Sequence, residues 1–349
     1  MENTAKSKHC SKCLILEDKS VGIIIGNDGV CNLCKKDTSR YEEMSWEKKK
    51  EVFDTLINKE KGRHKYDGVV MMSGGKDSTY LAMKLTQEYH LNIVGMSIDN
   101  GFEYLESFTN ARNMCDKLNI PYLIYQPKMH DLREFYKYIA TDDILRRSDY
   151  GQICFYCGIY LKKLVSDYAK LIDAPYIFSG YNPDQVMELG ESDIIEIAPS
   201  KIEYQQMIKR SAEEKVRSAE KYTFDKLGSI MSDYFKLPDL PILYYYQHFP
   251  YNPLEMIREI KEKLGWEPIP RFQKHYIASG CKLACALIHF CQLKNKPDYI
   301  QKEFCGQIRR GVLNKEDVEK LLGEIKFSTD EINEVLNKLD ITSEEMLNL

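Results

Sequence analysis

The apolar positions change period several times along the chain, and each change marks an element. Trp46, Val52, Phe53, Leu56 and Ile57 recur at helical spacing and predict a helix over 46–58. Tyr66-Asp-Gly-Val-Val-Met-Met72 is a short apolar run, the pattern of a buried strand, followed by a glycine turn and a helix over 78–89. Further strands are expected at 92–98, 121–126, 175–179 and 241–246, with helices at 104–118 and 161–171. Strand–helix alternation at this spacing predicts an α/β fold with a parallel sheet and right-handed crossovers. Ligands on such a sheet sit beyond the carboxyl ends of its strands.

Residues 198–237 are charged and helical in pattern, as a lobe or cover over the site would be. From Pro253 onward the pattern is helical to the end, and 314–349 carries charge runs that read as solvated helix faces. Three regions are therefore expected: 1–40, short and cysteine-paired; 41–250, the α/β domain; and 251–349, a C-terminal helical region. With 349 residues, 43% hydrophobic, the chain is long enough for one sizeable core plus an appended module. It has no apolar run of about 18 residues for a membrane helix, and Met1–His9 is polar where a secretory signal would be apolar. A cytoplasmic protein with no membrane partner is the expectation. The net charge of -4 argues against a surface built chiefly to grip a nucleic-acid backbone, so tRNA is the less favoured partner on this ground.

The densest chemistry lies between the first strand and its helix, in Ser73-Gly74-Gly75-Lys76-Asp77-Ser78. Glycines there let backbone N–H groups curl toward an anion, and the helix N-terminus adds its dipole. Lys76 supplies a point charge for phosphate, Ser73 and Ser78 supply hydroxyl donors, and Asp77 can hold Mg²⁺. The spacing is not that of a Walker A loop, which needs four residues between its first Gly and Gly-Lys.

Cys10-x-x-Cys13 and Cys31-x-x-Cys34 bracket Gly22, Gly26 and Gly29 in a segment too small for its own core. Two such knuckles predict a tetrahedral four-thiolate Zn²⁺ site, a zinc ribbon with a structural role, in preference to two disulfides. A second pair, Cys154-Phe-Tyr-Cys157, precedes the helix expected at 161–171, and Cys281 follows in Ala278-Ser279-Gly280-Cys281. Cys115, Cys291 and Cys305 fall in helical patterns and read as core. The seven histidines are scattered and form no ligand signature. Tyr244-Tyr245-Tyr246 reads as strand packing before pocket lining.

The loop resembles the Ser-Gly-Gly-x-Asp-Ser signature of the PP-loop ATP pyrophosphatases, whose fold is a parallel-sheet, HUP-like domain. The resemblance implies that ATP is cleaved to AMP and pyrophosphate to activate a substrate oxygen. Ile98-Asp99-Asn100-Gly101 ends the second strand where that family places adenine and ribose, which implies a nucleotide role for Asp99. Ser179-Gly180-Tyr181-Asn182-Pro183-Asp184-Gln185 is similar to the Gly-His-Asn-x-Asp-Asp segment of the tRNA-modifying branch. Tyr181 stands for its histidine and Gln185 for its second aspartate, so only Gly180, Asn182 and Asp184 carry over as cofactor-binding residues.

Two branches of that superfamily are resembled. The iron–sulfur tRNA thiolases place a Cys-x-x-Cys before the corresponding helix and a distant third cysteine after the fifth strand. This implies that Cys154, Cys157 and Cys281 ligate a 4Fe-4S cluster, with Cys285 as the alternative third ligand. A persulfide relay and buried free thiols are the other uses of these cysteines. The N-acetyl sugar amidotransferases are resembled in Asn27-Asp28-Gly29-Val30-Cys31-Asn32-Leu33-Cys34, Pro250-Tyr251-Asn252-Pro253, Leu264-Gly265-Trp266, Arg309-Arg310-Gly311 and Lys315-Glu316-Asp317-Val318. That branch lacks the internal Cys-x-x-Cys, and it implies ammonia from a glutaminase partner. The combined expectation is sulfur insertion, with a sulfur donor, on a small or sugar-like acceptor; Lys76, Asp77 and the three cysteines are its catalytic residues. Amidine formation on a sugar and tRNA thiolation are the alternatives, and a non-catalytic nucleotide-sensing module is a third class. The resemblance also implies a homodimer.

Overall fold

The computed structural model describes residues 8–36, 40, 42–146, 151–188, 202–272 and 280–347. The expectations for Met1 to Ser7, for 198–201 and for Ala278 and Ser279 lie outside these residues. At the N-terminus, isolated antiparallel bridges and the short helix α1 (Asn32–Lys35) close the cysteine-paired segment. Helix α2 (Trp46–Glu60) then leads into the sheet, capped by Ser45, whose hydroxyl accepts from the Lys48 amide.

Five strands follow: β1 (Gly68–Met71), β2 (Ile93–Ile98), β3 (Tyr122–Tyr125), β4 (Ile177–Ser179) and β5 (Ile242–Tyr244). All pairs are parallel, in the order β3-β2-β1-β4-β5. Every residue of β2 is buried, which is why its sequence is a continuous apolar run without alternation. The chain winds outward from β1 to β3, then crosses to the other side of β1 to lay down β4 and β5. That reversal opens a crevice beyond the carboxyl ends of β1, β2 and β4. The fold is an α/β parallel sheet, as expected.

Helices α3 (Lys76–Gln87) and α4 (Leu105–Lys117) follow β1 and β2. Helix α5 (Met129–Thr141) was not expected, although Leu132, Phe135, Tyr136, Ile139 and Ala140 recur at helical spacing and are all buried on one face. Helix α6 (Gly151–Leu171) begins ten residues before the predicted 161–171, so Cys154 and Cys157 lie inside the helix and not ahead of it. Its early turns are held by core burial of Ile153, Phe155 and Tyr156, which a strictly local reading of Cys-Phe-Tyr-Cys does not disclose. Helices α7 (Pro183–Glu188), α8 (Ile202–Leu227) and α9 (Ser229–Ser232) separate β4 from β5.

The C-terminal part is α10 (Pro253–Leu264), α11 (Lys282–Leu293), α12 (Tyr299–Arg309), α13 (Lys315–Glu324), α14 (Thr329–Leu339) and α15 (Ser343–Leu347). The charged tail is amphipathic: Ile332, Val335, Leu336 and Leu339 of α14 join the large core that also holds α5, α6 and α11. Among the described residues no helix is long and apolar enough to cross a membrane.

Candidate active site

The turn after β1 is shaped for close approach on every side. Gly74 has φ +74°, and a Cβ there would press into the backbone carbonyl of Ser107 on α4. Its own carbonyl accepts from the Trp266 indole at 3.0 Å, and the Asp77 carbonyl accepts from the Tyr246 hydroxyl at 2.9 Å. The hydroxyls of Ser73 and Ser78 lie 3.1 Å apart, and the Gly75 amide donates to Ser73 Oγ at 3.3 Å. Lys76 opens α3 and is nearly fully buried, with its Nζ 2.7 Å from Asp77 Oδ2. Burial works against its charge, but the carboxylates of Asp77 and Glu303 outweigh that and raise its pKa above the ordinary value. Asp77 Oδ1 is buried with no hydrogen-bond partner. A buried, unpaired carboxylate oxygen beside an ammonium and a curled glycine turn fits a Mg²⁺-bound polyphosphate.

A cavity of about 210 Å³ opens in the crevice. Ser73, Asp77 and Ser78 line one part of it, and Cys154, Cys157 and Cys281 line another. The spacing of Cys154 and Cys157 on α6 turns both toward it, whereas Cys281 arrives from the far side as N-cap of α11. Cys281 is fixed by an antiparallel bridge to Glu103 and by the Lys282 amide donating to Phe102 O at 2.7 Å. Asn100 Nδ2 lies 3.6 Å from Cys281 Sγ, and Tyr136 Oη lies 3.1 Å from Cys157 Sγ. Burial pushes the Cys157 thiol up to about 12 and the Cys281 thiol well above its usual range. Ligation to a metal removes such protons outright. Three thiols lining one cavity are a donor set that fits an iron–sulfur cluster. Cys285 does not line the cavity; it packs beside Tyr104, whose hydroxyl donates toward it at 3.9 Å.

The segments after β2 and β4 differ in what they present. Ile98 and Asn100 line the cavity, while Asp99 accepts from the Gly101 amide at 2.8 Å and from Gln126 Nε2 at 2.9 Å. Gly180 lines the cavity, and a Cβ there would stand 3.0 Å from the Asp77 carbonyl carbon and the Ser78 nitrogen. Asn182 and Asp184 are fully buried behind it and are not among the lining residues. Asn182 Nδ2 donates to Glu303 Oε1 at 2.7 Å, and Asp184 is held by the Arg310 guanidinium, so both tie the sheet to α12.

The four N-terminal sulfurs, of Cys10, Cys13, Cys31 and Cys34, lie within 4.8 Å of one another. The Cys31 amide donates to Cys10 Sγ at 3.2 Å and the Cys34 amide to Cys31 Sγ at 3.4 Å, contacts that stabilise thiolates. This donor set fits one tetrahedral Zn²⁺.

Two buried carboxylates in this region escaped sequence reading. Glu103 lines the cavity beside Cys281, and burial raises its pKa to about 7. Glu303 faces the phosphate loop from α12, and burial raises its pKa to about 7 against the pull of Lys76. Nothing in Tyr299-Ile-Gln-Lys-Glu303 separates that glutamate from a solvated one, since α12 buries polar and apolar residues alike. Ile98-Asp99-Asn100-Gly101-Phe102-Glu103 offered a better signal, because a carboxylate just past a strand's carboxyl end faces the ligand side.

Strand order, crevice and glycine turn together define an α/β domain with a candidate anion site where the strand order reverses. No protein-family model matches the chain. It is 31% identical over 175 residues to an uncharacterised protein of Methanocaldococcus jannaschii, covering 50% of this chain and 56% of that protein. It is 30% identical over 145 residues to cytoplasmic tRNA 2-thiolation protein 1 of Drosophila grimshawi, covering 40% of each. The chain thus spans about half the length of the curated relatives it matches. Among solved structures, the U34-tRNA thiolase NcsA from Methanococcus maripaludis with its [4Fe-4S] cluster aligns at TM-score 0.36 and 17% identity, over 92% of this chain and 89% of that one. The expectation that tRNA is the less favoured partner finds no support in relatives named for tRNA thiolation.

Proposed function

We propose that this chain is an AMP-forming ATP pyrophosphatase that activates a carbonyl or amide oxygen of an acceptor and replaces it with sulfur. The observation that carries the reading is that one cavity is walled by both the phosphate loop and Cys154, Cys157 and Cys281. Activation and replacement then occur in one chamber, with no transfer of the activated acceptor through solvent.

The acceptor oxygen attacks the α-phosphorus of ATP, an acceptor adenylate forms and pyrophosphate leaves. The backbone of Gly74 and Gly75, the hydroxyls of Ser73 and Ser78, and Lys76 bind the departing pyrophosphate, while Asp77 holds Mg²⁺ against it. Gly180 admits the nucleotide close to the loop, and Asp99 orders the turn at the ribose side. Asn182 and Asp184 serve the nucleotide site from behind. A sulfur nucleophile then adds to the activated carbon and AMP departs, leaving a thiocarbonyl. Cys154, Cys157 and Cys281 would hold a 4Fe-4S cluster, which when bound would supply the sulfur-transfer chemistry. The four N-terminal cysteines hold Zn²⁺ in a structural role.

The acceptor supported by the relatives named for thiolation is tRNA, since tRNA 2-thiolation is the chemistry their name carries. The net charge of -4 favours a second reading, a small or sugar-like acceptor. Anaerobic purification with metal and sulfide analysis tests the sulfur step. About four irons and four sulfides beside one zinc per chain support it. Zinc alone after anaerobic reconstitution overturns it and favours nitrogen as nucleophile. Incubation with ATP, sulfide and tRNA, followed by nucleoside mass spectrometry, decides the acceptor. Asp77→Ala is expected to abolish pyrophosphate release whichever acceptor is used, and an active variant sinks the assignment of the loop.

A further inference from the structure

Helix α12 carries two sets of residues that look in different directions. Cys305 joins the ribbon's buried cluster, and Arg309 Nη1 lies 3.2 Å from Cys13 Sγ. Glu303 points instead toward the sheet and is 1% exposed. Its carboxylate accepts from Asn182 Nδ2 at 2.7 Å, Gln307 Nε2 at 3.2 Å and Gln185 Nε2 at 3.4 Å. Two of those three donors belong to the turn and first helical residues that follow β4, Asn182 just ahead of α7 and Gln185 within it. The same turn closes on itself, because the Gln185 amide donates to Asn182 Oδ1 at 3.0 Å and the Asn182 amide to Gln185 Oε1 at 3.1 Å. Its first residue, Gly180, lies against the backbone of Asp77 and Ser78.

A buried carboxylate is costly unless its lone pairs are met, and here side-chain amides meet them and Lys76 opposes the charge. Spending a buried charge on one turn indicates that the turn's position matters. Gly306 strengthens the point: a Cβ there would collide with Asp184 Oδ1, so α12 sits as close to this turn as a helix can.

We propose that Glu303 is a positioning residue of the phosphate loop: from α12 it fixes, through Asn182 and Gln185, the turn that buttresses Asp77 and Ser78. It touches neither nucleotide nor acceptor. The C-terminal helical region therefore completes the nucleotide site, and the ribbon packed on the same helix braces it from behind. This inference rests on the loop being the nucleotide site.

Amide hydrogen exchange of the unliganded protein tests it, read at peptides covering 73–79. In Glu303→Gln, one amide oxygen remains for Asn182 and Gln307, but an NH2 group now faces the Gln185 donor. Measured at about pH 8, above the value of about 7 to which burial raises Glu303, exchange at the loop is expected to rise at least about tenfold, as loss of charge-assisted hydrogen bonds lowers the cost of local opening. Exchange in β2 should stay unchanged. The double variant Gln185→Glu/Glu303→Gln restores a carboxylate facing an amide and should return the loop close to wild-type exchange. A packing role alone predicts no such rescue. Gln185→Leu, which removes the donor to Glu303 Oε2 and the acceptor of the Asn182 amide, should also raise exchange at the same peptides. Wild-type exchange at the loop in Glu303→Gln, with only a lower melting temperature, overturns the proposal. Absence of ATP binding by the wild type defeats the nucleotide reading instead, and the exchange pattern still decides the role of Glu303.

Discussion

Cys281 and Cys285 stand one helical turn apart on α11, yet only Cys281 reaches the cavity; Cys285 turns to Tyr104. Sequence spacing alone leaves either as the third ligand beside Cys154 and Cys157. Cys281→Ala is expected to abolish retention of iron and acid-labile sulfide after anaerobic reconstitution, whereas Cys285→Ala should retain both. Equal loss in both variants contradicts the geometry. Cys285 is fully buried, so its truncation still lowers stability by about 1 kcal/mol through lost packing. Much of the phosphate loop was legible at this scale, because Ser73-Gly74-Gly75-Lys76-Asp77-Ser78 is contiguous. Glu103 and Glu303 were not, because a carboxylate's burial is set by elements distant in the chain.

Among elements, the turn between β1 and α3 shows most clearly why glycine is required. Gly74 combines a left-handed backbone with α4 packed against its Cα hydrogens. Gly74→Ala is expected to cost at least about 2 kcal/mol, from the φ penalty and the backbone clash together, read as a lower denaturation midpoint. A neutral effect means that α4 can withdraw from the loop. Helix α6 teaches a different lesson. Its start at Gly151 places Cys154 and Cys157 on one helical face toward the cavity, whereas a loop preceding the helix would leave their directions open. The local sequence there is ambiguous, and packing of Ile153, Phe155 and Tyr156 against α5 and α11 settles it.

Across the whole molecule, the N-terminal segment, the C-terminal helices and the sheet are interlocked. The ribbon packs on α12 through Cys305 and Ile308, Lys296 pairs with Asp18 at 2.7 Å, and Lys315 donates to Ser11 O at 2.8 Å. The segment was expected to lack a core, but Ile15, Val21, Ile23, Ile25 and Leu33 form a small buried cluster of their own; metal binding by its four cysteines would add folding free energy to that packing. Removing the metal with a chelator is therefore expected to lower the melting temperature and to expose the first forty residues to protease before the sheet domain. Retention of an intact ribbon after complete metal removal contradicts this dependence.

The sequence by itself determined the α/β class, the glycine turn after the first strand and the sorting of cysteines into two sets. Each is written in short-range signals: apolar runs, glycines beside a lysine and an aspartate, and Cys-x-x-Cys knuckles. Tertiary structure alone decided that the second cysteine set and the phosphate loop share one cavity. It also decided that Asn182 and Asp184 face α12 and that Glu303 reaches the loop from more than two hundred residues away. Residue periodicity reports which face of an element is apolar, but which elements meet depends on the winding of the sheet and the packing of its helices.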